Sequence, residues 1–370
     1  MRILYFSRDY TPHDHRFLTA LSKTEHRVYY LRLERRGHVL EDRPLPPEVE
    51  MVPWKGGLKP ARLGDGFSLW QDLKRVIRKI KPDLIQAGPV QRSALLAALA
   101  GFHPLISMSW GYDLLKEAEI NASWRWATRY SLRHSDLLIG DCDTIRQLAI
   151  SYGMPPERIV TFPWGIDLEH FSPGKETPAL SPVNAEHGFV LLSTRGWEPI
   201  YGVDVIARAF VLAAGEVPQL TLLMLGNGSQ AALLRKIFAQ AGLEERVYFP
   251  GQVSQAELPR YYRMADLYLS ASHSDGTSIS LLEAMACGKP VLVSDIPGNL
   301  EWVQTGVNGW TFPDGDVNAL AKAMIHAAQH QTQLADMGRA ARRLAEQRAN
   351  WTVNFQHMLR AYDKVTVSHR

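Results

Sequence analysis

Cysteine is almost missing from this 370-residue chain: two occur, Cys142 and Cys287, far apart in sequence. That excludes a disulfide framework and fits a reducing, cytoplasmic setting. Long apolar runs are missing too. The longest, around Ala94–Met108, is interrupted by His103 and Pro104 and falls short of the ~20 residues a bilayer-spanning helix needs. The opening MRILYFSRDY has its apolar run between Arg2 and Arg8, shorter than the roughly 7–15 residues of a signal-peptide core. A first strand is expected there instead. Charge of one sign is scarce as well, since the net charge is only +3. That is too little to make nucleic acid the default partner. No repeat of solenoid period is present.

What remains is an ordinary globular balance, 46% hydrophobic and 21% charged, with too much to bury for a disordered chain. The length suits two hydrophobic cores better than one. Residues 1–172 hold 24 Lys/Arg against 20 Asp/Glu, so the positive excess lies in the first half.

Short β-rich runs alternate with helix-length segments, the pattern of parallel α/β domains. The first series of expected strands is 2–6, 27–33, 83–88, 105–110, 136–140 and 159–163. Helices are expected at Arg16–Lys23, Leu69–Lys81, Arg92–Ala100, Ser123–His134 and Asp143–Tyr152. A second series of strands follows at 189–195, 221–226, 246–251, 267–272, 290–295 and 309–313. Between the series, SPGKETPALSPVNAEHG (172–188) reads as a linker. The expected division is therefore a first domain over 1–171, the linker at 172–188, a second domain over 189–345, and a terminal helix over 346–370 returning to the first domain. In such open sheets, ligands bind beyond the carboxyl ends of the strands.

The most informative segment is SHSDGTSISLLEAMACGKPVLVSD (272–295). A strand gives way to a polar loop, and a helix starts near Ser278. Gly276, Thr277 and Ser278 can offer amides at the positive end of the helix dipole, a place suited to phosphate. Asp275 stands in the loop and Glu283 inside the helix, so the two can accept hydroxyls on either side of that phosphate. A capped helix with acidic residues near its start gives the same pattern in any α/β protein.

The segment resembles the E-x7-E signature of the retaining glycosyltransferases of family 4 (glycosyl transferases group 1), with aspartate for the first glutamate. PWGIDLEHFSP (163–173), STRGWEPIYGVDVIARAF (193–210), LLMLGNGSQ (222–230), YFPGQVSQAELPRYYRMADLYLSAS (248–272) and IPGNLEWVQTGVNGWTFPDGD (296–316) follow the family's order. The resemblance implies a GT-B fold, two Rossmann-like domains with parallel sheets facing across a cleft, the second holding a nucleotide-sugar donor. Carried over by position, Glu283 would hold the donor ribose and Asp275 the transferred sugar. Gly276, Thr277 and Ser278 would present amides to sugar and diphosphate, with Gly226 and Val253 completing the donor site. Arg195 would stabilise the departing diphosphate, a role suited to a permanent guanidinium charge. Catalysis is thus assigned to Arg195 and Asp275, with no metal and no cofactor.

The chain departs from its relatives in places. Tyr201 stands where the family often has lysine, and Trp110-Gly111-Tyr112-Asp113 where many relatives carry histidine before glycine. On the acceptor side His13, Asp14, Trp110, Tyr112 and Asp113 are the candidates, the acids to orient a hydroxyl and the aromatics to stack on a sugar. The same residues could equally cap helices and fill core. The implied reaction is retaining transfer of a hexosyl-type sugar from a UDP-linked donor to a sugar or lipid-linked acceptor, in glycan, polysaccharide or glycolipid synthesis. No carboxylate stands out as a covalent nucleophile, which favours front-face departure and attack. A UDP-sugar 2-epimerase of related fold and a non-catalytic relative are the alternatives.

Other signals weigh less. GNGSQA (226–231) fits a dinucleotide fingerprint but lacks the acidic residue expected about 20 residues on. Asp141–Asp143, Asp314–Asp316 and the His13-Asp14-His15 run could chelate a metal, yet Asp-Gly is also an ordinary turn signal. In SLWQDLKRVIRKIKP (68–82), Leu69, Leu73, Val76, Ile77 and Ile80 share a face, with Lys74, Arg75, Arg78, Lys79 and Lys81 elsewhere. Arg125, Arg129 and Arg133 recur at helical spacing. Basic amphipathic helices can lie on anionic membranes, here the inner face. A solvated helix packed on its sheet reads the same way.

Overall fold

The computed structural model describes residues 1–35, 41–174 and 188–367; of the expected linker at 172–188, residues 175–187 lie outside them. Contacts divide the chain into two units, Met1–Phe162 with Phe355–Arg370, and Pro163–Asn354. The first boundary thus precedes the expected 171. Helix Trp351–Val367 carries the chain from the second unit into the first.

The first unit holds a parallel seven-stranded sheet: β1 (Arg2–Ser7), β2 (Arg27–Arg32), β3 (Glu50–Met51), β4 (Leu84–Gly88), β5 (Leu105–Met108), β6 (Leu137–Gly140) and β7 (Ile159–Thr161). Their order is β3-β2-β1-β4-β5-β6-β7. The second unit holds β8 (Phe189–Ser193), β9 (Leu220–Leu225), β10 (Val247–Gly251), β11 (Leu267–Ser270), β12 (Val291–Ser294) and β13 (Gly309–Phe312). These are ordered β10-β9-β8-β11-β12-β13, again all parallel. Both are Rossmann orders, as expected. The sequence reading had missed β3, a two-residue edge strand.

The inner strands are continuous apolar runs because helices cover both faces. In the second sheet Leu191 and Leu269 face one core cluster, while Val190, Leu192 and Tyr268 face the other. Register is pinned by a recurrent device. An aspartate just before a strand accepts an amide from the first or second residue of the neighbouring strand: Asp83 from Arg2 at 2.7 Å, Asp136 from Leu105 at 2.7 Å, and Asp266 from Val190 at 2.8 Å. A one-residue slip would break each bond and turn the apolar set over.

The first helix starts at Pro12 and not at the expected Arg16. Thr11 and Asp14 form a capping box, with Pro12 at the first helical position. Among the described residues no helix is long and apolar enough to cross a membrane.

Gly202 opens helix Val203–Glu216 with φ of +57°, and a Cβ there would lie 2.1 Å from the carbonyl oxygen of Ala271. Gly242 has a similar φ of +66° but open space around it. Denaturant unfolding should separate the two effects. Gly242→Ala is expected to cost about 1–2 kcal/mol from backbone strain alone, and Gly202→Ala at least ~3 kcal/mol because the clash adds to it. Equal losses would show that the close approach to Ala271 does not matter.

Candidate functional site

Strand order in the second unit reverses between β8 and β11. The helices that follow these strands therefore leave to opposite faces, and the loops at their carboxyl ends part to form a crevice. Thr194 and Arg195 follow β8 there, and residues 271–278 follow β11.

Arg195 is the centre of the crevice. Its Nη2 lies 2.7 Å from Asp275 Oδ2, and its Nη1 donates to Ser278 Oγ at 3.0 Å and Ser280 Oγ at 3.2 Å. Its guanidinium carbon sits 4.1 Å from the centre of the Tyr201 ring, a cation–π contact. Burial works against the charge, but Asp275 and the surrounding tyrosines outweigh it and hold the pKa above the ordinary arginine value. Nε is buried without a hydrogen-bond partner among the described residues.

Gly276, Thr277 and Ser278 are buried at the start of helix Ile279–Ala286. Gly298 permits the approach of this loop, since a Cβ there would lie 2.2 Å from the Gly276 oxygen. Glu283 projects from the same helix and is 4% exposed. Its Oε2 accepts from Tyr262 Oη at 2.8 Å and its Oε1 from Gln255 Nε2 at 3.3 Å. Burial first, and then Glu283, push the Tyr262 hydroxyl well above its ordinary pKa, so it stays a donor. Glu283 is thus anchored through both carboxylate oxygens.

These groups are joined by hydroxyls the sequence reading did not single out. Tyr262 Oη lies 3.0 Å from Thr194 Oγ1 and 3.2 Å from the Ser280 oxygen, and Tyr268 Oη donates to Ser280 Oγ at 2.7 Å. Tyrosines in an apolar run read as core, and their hydroxyl partners lie too far along the chain to be seen.

Gly226 and Val253 stand on the β9 and β10 side. Gly226 has φ of +107° and donates to the Gly251 oxygen at 2.8 Å. Trp197 ties the neighbouring loop in, its amide on the Asn227 oxygen at 3.0 Å and its indole on Leu225 at 3.1 Å. Val253 is half-buried against the core cluster that contains Leu225 and Tyr262.

In the first unit the order reverses between β1 and β4. A hollow opens there, lined by Arg8, Thr11, His13, Trp110, Tyr112 and Glu117 among others. His13 stacks on Trp110 with ring centres 5.3 Å apart, and Phe17 meets Trp110 edge-on. Burial, then Arg16, lower the His13 pKa to about 4, so its imidazole is neutral near pH 7. Tyr112 is exposed.

The two acids expected to orient a hydroxyl are committed to the chain itself. Asp14 is 1% exposed and turned into the capping box, accepting from the Thr11 amide at 3.0 Å and Tyr5 Oη at 3.1 Å. Asp113 reaches the hollow's wall but accepts from Ser109 Oγ at 2.7 Å, the Val90 amide at 3.0 Å and the Trp110 amide at 3.1 Å. Both brace the loops that carry Trp110 and His13.

The weaker metal candidates separate. His13 stacks on Trp110 while His15 meets Tyr10 Oη at 2.7 Å. Asp316 caps helix Val317–Gln329. Among the described residues no three such ligands gather.

Burial raises the Asp14 pKa from 3.8 to about 7 and that of Asp113 to about 6. The folded chain therefore holds protons that the unfolded chain has released, and this contribution to stability fades as pH rises between about 4 and 7. Unfolding free energies of wild type and Asp14→Asn across that window should show the wild type losing ground as pH rises, by on the order of 1 kcal/mol per pH unit. Parallel curves would rule out a neutral buried carboxyl.

Residues 13–170 match the family model Glycosyltransferase Family 4, and residues 181–344 match Glycosyl transferases group 1. Similar proteins include a D-inositol 3-phosphate glycosyltransferase of Geodermatophilus obscurus, 30% identical over 55% of this chain and 47% of that one. The amylovoran biosynthesis glycosyltransferase AmsK of Erwinia amylovora is 28% identical over 58% of this chain and 53% of its own. The matched stretch is about half the length of each relative. Among solved structures, HepE of Anabaena in complex with UDP aligns with a TM-score of 0.79, 21% identity and coverage of 98% and 100%. Sucrose-phosphate synthase of Thermosynechococcus elongatus aligns at 0.82, 18% identity and full coverage of both chains. Such identities speak for fold alone. With one half matching the family 4 model, the other the group 1 model, and both sheets in Rossmann order, the chain belongs with the family 4-like glycosyltransferases of the GT-B fold.

Proposed function

We propose that this chain transfers a hexosyl-type sugar, with retention of configuration, from a nucleotide diphosphate sugar, UDP-linked, to a hydroxyl acceptor. The observation that carries the reading is Arg195, held by Asp275 and Ser278 over the amino end of the helix that also carries Glu283. A diphosphate there meets a fixed guanidinium and the amides of Gly276, Thr277 and Ser278, so charge on the leaving group is received without an added metal. Glu283, fixed by Tyr262 and Gln255, takes the ribose hydroxyls. Asp275 exchanges part of its hold on Arg195 for the sugar's hydroxyls. The neighbours HepE, solved with UDP, with UDP and glucose, and with UDP-glucose, lend support to a UDP-linked donor.

With no carboxylate in the role of nucleophile, departure and attack share one face of the sugar. The bond to the diphosphate oxygen breaks while the acceptor oxygen closes in, its proton passing to that leaving oxygen. On the acceptor side, Trp110, stacked on neutral His13, and exposed Tyr112 offer ring faces to a sugar, while Asp113 holds their loop in place.

A panel of nucleotide sugars followed by release of nucleoside diphosphate and by NMR of the product anomer tests this reading. An acceptor glycoside with the donor's anomeric configuration is expected. Inversion, acceptor-independent epimerisation, or no binding to any donor would each overturn it.

Glu283→Ala should weaken calorimetric binding of UDP by roughly 1.5–3 kcal/mol, with the fold kept because Tyr262 retains Ser280 and Thr194 as partners. Arg195→Ala should lower kcat by ~10²–10³. Turnover should persist in excess EDTA; a loss reversed by magnesium or manganese would refute the metal-free part.

A further inference from the structure

The first unit carries a surface that neither the donor site nor the hollow uses. Residues 55–81 hold eight lysines and arginines against two aspartates, a balance of +6 in a chain of net +3. Everything outside this segment is therefore net negative. One of the two aspartates, Asp72, is buried and ion-paired with Arg75 at 2.8 Å.

The helix Gly66–Ile80 buries Leu69, Leu73 and Val76. Its opposite side carries Phe67, Trp70, Gln71, Lys74 and Arg78, spaced by three and four residues along one stripe. Phe67 is 69% exposed and lies against Trp70, with ring centres 5.6 Å apart. Trp70 is held in place by a bond from its indole to the Leu99 oxygen at 2.9 Å, and Lys74 sits 4.5 Å over its ring. Leu58, in the preceding loop, is 80% exposed between Lys55 and Lys59. Helix Leu95–Ala100 packs beside this helix and against helix Ala122–Arg133 in turn. The latter exposes Trp126, stacked on Tyr130, with Arg125, Arg129 and Arg133 alongside.

A helix that is merely solvated has no reason to hold an aromatic pair in water. Clustered exposed apolar groups mark an interaction surface, and aromatics ringed by cations match an interface of acyl chains beneath anionic headgroups. We propose that this face docks on an anionic lipid bilayer, Phe67, Trp70 and Leu58 entering the headgroup boundary while Lys55, Lys59, Lys74 and Arg78 meet the phosphates. The surface stands independently of the donor reading.

Flotation of the full chain with phosphatidylcholine vesicles, with and without phosphatidylglycerol, tests this directly. Binding is expected only on the anionic vesicles and should weaken as salt rises. Lys74→Gln with Arg78→Gln should lower it about thirty-fold, at ~1 kcal/mol for each cation. Phe67→Ser should lower it at least about tenfold, while nucleotide-sugar binding is unchanged in both variants. Equal flotation on neutral vesicles, no flotation at all, or retention by polyuridylate in place of vesicles would overturn the proposal.

Discussion

The structure depends on a chirality constraint. A crossover between parallel strands is right-handed, so a chain that lays strands first one way and then the other must send its helices to opposite faces. Each unit does so once, between β1 and β4 and between β8 and β11. Both sites lie where this reversal parts the loops. The hollow of the first unit borrows Thr11, Pro89 and Trp110 from three successive strand ends on its sheet. Arg195 and Asp275, 80 positions apart, become neighbours for the same reason.

Much of this could be read from the residues. The strands are apolar runs with turn residues at their ends, and twelve of them fall close to expectation because burial on both faces leaves little room for polar residues. β3 could not be seen: Glu50–Met51 is short, exposed and set after a proline-rich stretch. The start of the first helix is legible in the sequence, since Thr11, Pro12 and Asp14 spell a capping box. Burial explains the rest. Asp14 and Asp113 read equally well as acids for a hydroxyl or as caps, because a sequence does not show which carboxylates their own backbone will claim.

The crevice of the second unit is expensive to build. A guanidinium 12% exposed loses most of its hydration, and a buried ion pair regains this only with good geometry and added hydrogen bonds. Here Asp275 supplies the opposite charge, Ser278 and Ser280 accept the hydrogen bonds, and the Tyr201 ring lies over the guanidinium. Tyr201 meets Arg195 with a π-face. The site therefore concentrates its positive charge on one group, surrounded by hydroxyls that can reorient.

The terminal helix has a bearing on how the protein is made. Tyr362 is fully buried in the first unit and donates to Gln86, and Lys364 reaches the Glu157 oxygen at 2.7 Å. During translation, β1 through β7 emerge long before those residues. At about 5–20 residues per second the whole second unit occupies on the order of 10–40 s of synthesis. Throughout that interval the first sheet lacks the side chain that seals Gln86. The second unit has its own residues from Pro163 to Asn354 in hand earlier. For this chain the order of emergence from the ribosome and the order of completion are reversed.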